Sequence, residues 1–123
     1  MLRGVASSGD GLASIARSGE KFGFDIIAPN DHLIVPKGID STYPYTDDGI
    51  WPGASVVECH DQLTSMAFIA GHTDNIRILA SVMVVPYREP VLTAKIIATA
   101  DLLSKGRIIL GCGVGWMSEE MEA

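Results

Sequence analysis

The chain has 123 residues, 47% of them hydrophobic and 20% charged, a balance that fits one soluble globular domain with a single modest core. A net charge of −6 with scattered basic residues leaves no footprint for nucleic acid or an anionic membrane. No apolar run nears the roughly 20 residues that span a bilayer, and the N-terminus lacks the apolar stretch of a secretion signal, so a cytoplasmic setting is expected.

A first helix is predicted over 10–22, where Leu12, Ile15, Ala16 and Phe22 fall near helical spacing and Gly23 supplies a left-handed stop. No good strand precedes it. Phe24 to Ala28 reads as a short apolar strand, ended by Pro29 and followed by Asn30-Asp31-His32. From Leu33 to about Gly53 the pattern dissolves into Pro, Gly, Asp, Thr and Tyr, a long loop of the kind that tends to be functional. A second helix, 61–72, carries Leu63, Met66, Ala67 and Ala70 as its apolar face.

Ile76 to Val85 reads as a strand that passes through Pro86–Pro90 into a third helix, Val91 to Ser104. Pro90 suits that helix's first turn, and Lys105-Gly106 ends it with a cation and a left-handed residue. A further strand, Arg107 to Gly115, follows about one βαβ unit after the previous one. Ser118 can cap a fourth helix, with Glu119 and Glu120 favourable against its positive end. Met66, Met83 and Cys112 are assigned to the core.

The fold class is therefore α/β, with about three consecutive βα units and parallel strands buried on both faces. Three parallel strands cannot close a barrel and leave two unpaired edges, so 1–123 reads as a single incomplete domain. Open edges also predict a homo-oligomer, or an assembly module that pairs with another chain. Cys59 and Cys112 lack metal spacing and His32, His60 and His72 are far apart, so no metal site is expected.

Parallel α/β folds place ligands at the C-terminal ends of their strands. Asp31 and His32 follow one such end. A carboxylate beside a histidine can hold the ring in one tautomer and suit it to acid–base work; the plainer reading is a turn cap with a local hydrogen bond. Gly111-Cys-Gly-Val-Gly115 permits close backbone approach to a ligand, or equally lets the next helix pack on the sheet. It lacks the third glycine of a dinucleotide fingerprint. Arg88 could hold an anionic cofactor tail or pair with a carboxylate, Glu89 being adjacent. Tyr43, Tyr45 and Trp51 could cover a flat ring or simply pack the loop.

Four segments taken in order carry a family resemblance. They are Gly23-Phe-Asp with Asn30-Asp-His-Leu33; Tyr43-Pro-Tyr45 with Asp48-Gly49; Ser81-Val-Met-Val-Val-Pro86 with Arg88-Glu-Pro90; and Arg107-Ile-Ile-Leu-Gly-Cys-Gly-Val-Gly-Trp116 with Glu119-Glu120. Together they resemble the bacterial luciferase-like superfamily, flavin- or deazaflavin-dependent oxidoreductases on a TIM barrel. The resemblance implies that residues 10–123 supply the second to fourth strands of a partial (β/α)8 barrel, without its first strand and C-terminal half.

It also implies FMN or coenzyme F-420 as cofactor and a small-molecule substrate. Hydride transfer, or monooxygenation with FMN, would occur at the strand ends, and this length alone would be inactive. By the same resemblance Asp31 and His32 are catalytic, and Asp31, Ser81, Val82, Gly111, Gly113 and Arg88 bind cofactor. Ser81-Val82 corresponds to a bulge held by a non-prolyl cis peptide, which could fall one bond earlier, at Ala80-Ser81. Trp116 stands where some deazaflavin sugar dehydrogenases have a catalytic glutamate. That departure tells against their activity, while the Asp31-His32 pair and the Gly111 motif lean toward the deazaflavin branch.

Overall fold

Ser8 starts helix α1, Gly9–Lys21, by accepting a hydrogen bond from the Gly11 amide at 3.1 Å. Gly23, at φ +81°, ends it, and the Phe24 amide turns back to the Gly19 carbonyl at 3.0 Å. The computed structural model describes residues 4–54 and 59–123; residues 1–3, on which the reading of the N-terminus partly rests, lie outside them. Strand β1 is only Ile26–Ile27, shorter than the predicted apolar run. Asp61 caps α2, Gln62–His72, through the Thr64 amide at 2.7 Å. Strand β2 is Arg77–Val84, and a short 3-10 turn over Val85–Tyr87 takes the last predicted strand residue.

Helix α3 spans Pro90–Leu103, with Glu89 as its cap, β3 spans Ile108–Gly113, and α4 is the single turn Ser118–Met121. Both Lys105 and Gly106 have positive φ at the end of α3, which explains the stop. Ser118 is not the cap of α4. Met117 occupies that position without a side-chain bond, and the Ser118 hydroxyl meets Ser41 instead.

The three strands are parallel in the order β1-β2-β3. Ala80 pairs with Leu110 and Met83 with Cys112, so β2 carries one extra residue, a bulge at Ser81-Val82. The peptide bond between those two residues is cis, and the Ala80-Ser81 bond is not. Leu12 and Ala16 of α1, Leu63, Met66 and Ile69 of α2, and Ile78, Ala80 and Met83 of β2 form the core on one face of the sheet.

Several apolar positions differ from the helical-wheel expectation. Ile15 and Phe22 are exposed, and the buried stripe of α2 runs through Leu63, Met66 and Ile69 and leaves Ala67 outside. The reason is that α1 packs against α2, which itself lies on β2, so the covered face of α2 is shared between a helix and a strand. Cys112 is exposed too.

The end of the sheet away from the bulge is closed by Arg107. Its guanidinium donates to the carbonyls of Ala70, Thr73, Ile76 and Ser104 and to the Thr73 hydroxyl. Glu20 of α1 accepts the amides of Asp74, Asn75 and Ile76 on the way into β2. These two clamps fix where β2 begins, and hence where its C-terminal end emerges.

Candidate functional site

The β1–β2 ladder ends at Ile27 and Ile78, and the segment after β1 satisfies two amides further along β2. The Ser81 amide donates to the Pro29 carbonyl at 3.1 Å, which also accepts Gln62 Nε2 at 2.9 Å. The Val84 amide donates to Asp31 Oδ2 at 2.8 Å. Asp31 is buried, and Arg88 grips it with both terminal nitrogens, at 2.5 Å to Oδ2 and 2.7 Å to Oδ1. Such a two-point fork is the strongest form of the Arg–carboxylate pair. Burial opposes the Arg88 charge, but Asp31, then Asp61 at 3.4 Å, outweigh it and raise the pKa above the ordinary arginine value.

The expected Asp31–His32 pair is not formed. Consecutive side chains on a non-helical segment diverge: Asp31 turns to β2 and Arg88, while His32 turns to α4. There His32 Nδ1 meets Glu120 Oε2 at 2.9 Å. Glu120 is buried, and it also accepts Tyr87 Oη at 2.9 Å and the amides of Leu33 and Ile34. Burial pushes its carboxyl up, yet the hydrogen bond and charge of His32, the Tyr87 hydroxyl and the Leu33 amide bring it below the usual value. The Tyr87 phenol moves the other way, raised well above its ordinary value by burial and then by Glu120. Sequence reasoning gave Glu120 only a helix-dipole role.

His32 also faces an aromatic chain. Its ring lies 4.6 Å from Trp51, Trp51 lies 5.9 Å from Trp116, and Trp116 lies 5.0 Å from Tyr43, which meets Tyr45 edge-on. The long loop that carries Tyr43, Tyr45 and Trp51 is tied to α4 by Glu119. This carboxylate accepts the amides of Asp40 and Ser41 at 2.7 and 2.9 Å and the Ser41 hydroxyl at 2.7 Å. The Ser41 hydroxyl and those amides hold the Glu119 carboxyl down at about 2.

These parts enclose a cavity of about 630 Å³ at the C-terminal end of the sheet, within the range of small-molecule sites. Asp31, His32, Ser81, Val82 and Gly113 all line it, together with the aromatic rings. Gly111 and Arg88 do not. A Cβ at Gly111 would come within 2.5 Å of the Ala80 carbonyl oxygen, so this glycine makes room for the bulge. Arg88 is committed to Asp31 and faces a groove between α2 and α3, and Glu89 caps α3 rather than pairing with it. No Lys or Arg lines the cavity among the described residues. Among them there is likewise no cluster of three His, Cys, Asp or Glu able to hold a metal.

A flat apolar ring fits what is present: bulged backbone with Val82 on one side, aromatic faces on another, and a histidine between. A family model described as luciferase-like monooxygenase matches residues 3–123. Uncharacterized proteins of Mycobacterium tuberculosis and Mycobacterium bovis are each 31% identical over 109 residues, covering 89% of this chain and 39% of theirs. The monooxygenase RslO1 from Streptomyces bottropensis shares the fold at a TM-score of 0.71 and 19% identity, over 98% of this chain and 31% of its own. The oxygenating constituent of 3,6-diketocamphane monooxygenase from Pseudomonas putida, a type II Baeyer-Villiger enzyme in complex with FMN, matches at 0.63 and 19%, over 92% and 26%.

The chain belongs to the luciferase-like monooxygenase family. Its three-stranded sheet is part of the family's TIM barrel, and it spans about 39% of the length of the curated relatives it matches. Among the described residues no helix is long and apolar enough to cross a membrane.

Proposed function

We propose that the cavity is part of a flavin site, and that the whole protein is a flavin-dependent oxidoreductase acting on a small molecule. The observation that supports this most is the meeting of His32, the Ser81-Val82 bulge and Gly113 in one cavity walled by Trp51 and Trp116. The bound ring system would supply hydride transfer and, if it is FMN, oxygen chemistry. FMN is the preferred cofactor because the related camphane enzyme holds it; coenzyme F-420 is the alternative.

Val82 and Gly113 would back the ring, Trp51 and Trp116 would limit water, and His32 would take or give the substrate's proton. Asp31 acts indirectly, by holding the Val84 amide and Arg88 where β2 ends. Arg88, so engaged, orients Asp31 instead of an anionic tail. With no Lys or Arg lining the cavity among the described residues, a phosphate would be held by parts of the barrel outside them. Turnover is accordingly assigned to the complete barrel, and a homo-oligomer is the expected state of the 123 residues alone.

The two tryptophans of the chain both border the cavity, which makes the test direct. FMN and coenzyme F-420 titrated separately should quench their fluorescence with saturation. Absence of saturable quenching by either cofactor would remove the reading.

A further inference from the structure

We propose that Glu120 is a positioning residue that makes His32 a proton acceptor toward the cavity, by holding the ring's proton on Nδ1 and leaving the Nε2 lone pair free. The inference rests on the preceding reading of the cavity, and deepens it by giving His32 one direction of proton transfer.

Four donors converge on the Glu120 carboxylate. The Leu33 and Ile34 amides can only donate, and both point at Glu120 Oε1. That oxygen is therefore not available to carry a proton. Oε2 receives Tyr87 Oη and His32 Nδ1, each at 2.9 Å. An ionised carboxylate accepts only, so both of these groups must present a hydrogen to it. The Glu120 side chain is 1% exposed and that of His32 is 11% exposed, so water does not compete freely for the contact. His32 Nε2 has no protein partner among the described residues, and the ring borders the cavity beside Trp51. A neutral ring held this way carries its hydrogen on Nδ1, the reverse of the form a histidine favours in water.

Tyr87 and Glu120 come from the turn after β2 and from α4, while His32 follows β1. The orientation of one imidazole is thus set jointly by all three strand ends of the sheet. The aromatic chain then keeps the ring from turning, since Trp51 lies 4.6 Å away on the cavity side.

Long-range 1H–15N spectra of the labelled chain, at a pH where the rings are neutral, read the tautomer with no flavin present. His32→Gln assigns the His32 signals apart from those of His60 and His72. His32 should show a protonated, pyrrole-type Nδ1 and a pyridine-type Nε2. In Glu120→Gln the amide oxygen can keep the Leu33 and Ile34 bonds, which turns the NH2 group toward Nδ1. The proton should then move to Nε2. Tyr87→Phe removes one donor but not the carboxylate, and should leave the His32 tautomer unchanged.

A wild-type His32 protonated on Nε2 would overturn the proposal, as would an unchanged tautomer in folded Glu120→Gln. If Glu120→Gln does not fold, the wild-type and Tyr87→Phe spectra decide alone. Failure of the flavin reading would appear separately, as a His32 with the expected tautomer in a chain whose tryptophans no flavin quenches.

Discussion

Replacing Asp31 with Asn takes a buried charge away from Arg88 and puts an amide where two donors arrive. Breaking one side of a buried pair costs about 3–5 kcal/mol; with Asp61 as a distant second partner we expect the lower end, about 3 kcal/mol, read from the denaturant midpoint. Gly111→Ala would push a Cβ to 2.5 Å from a backbone oxygen that the bulge holds in place. We expect a loss of about 1–3 kcal/mol. At Gly113 the obstacle is a Val82 methyl, also at 2.5 Å, so alanine there should cost less stability and disturb the cavity wall more.

Which positions reach the strand ends was legible in the sequence, because apolar runs closed by Pro29, Pro86 and the Gly111–Gly115 segment mark those ends, although the last strand was read to Gly115 and stops at Gly113. Their partners were not. Adjacency suggested Asp31 with His32 and Glu89 with Arg88, whereas the fold joins Asp31 to Arg88 and His32 to Glu120 across 57 and 88 residues. No local pattern encodes such pairings.

At the scale of elements, α4 is one turn long yet anchors two segments through two adjacent glutamates. Glu120 takes the start of the long loop, and Glu119 takes residues 40 and 41. Glu119 offers a pH test. Its folded value of about 2 lies below the ordinary 4.5, so the unfolded or released form binds the proton more tightly. The stabilising contribution is therefore present above about 4.5 and is lost as pH falls through about 2. Protection of the Asp40 and Ser41 amides relative to their intrinsic exchange rates should fall over that interval, and in Glu119→Gln the same amides should exchange faster already at neutral pH.

Arg107 is the corresponding tie at the opposite end of the sheet. Arg107→Met leaves several carbonyls short of donors and should cost about 3 kcal/mol without changing the cavity. Helix existence was readable from apolar spacing and from Gly23, Pro90 and Lys105-Gly106, whereas the caps Ser8, Asp61 and Glu89 emerge only in the structure. Which face each helix buries depended on α1 meeting α2, a contact that periodicity does not contain.

For the molecule as a whole, several apolar side chains of the sheet and of α3 remain open among the described residues. Val82, Leu110, Leu102 and Leu103 are exposed, the last two at 79% and 78%. Apolar surface of that kind drives association, and among the described residues the outer edges of β1 and β3 add unpaired backbone groups. Sedimentation should show the 123-residue chain self-associating as concentration rises, and a strict monomer across that range would contradict this. The central claim is that the strand-end cavity receives a flavin ring, and amide NMR of the labelled chain titrated with FMN tests it most directly. The account predicts progressive shifts at Val82, Gly113, Val114 and both tryptophan indoles, with Arg107 and α1 silent. Shifts confined to other surfaces, or none up to the solubility of FMN, would contradict it.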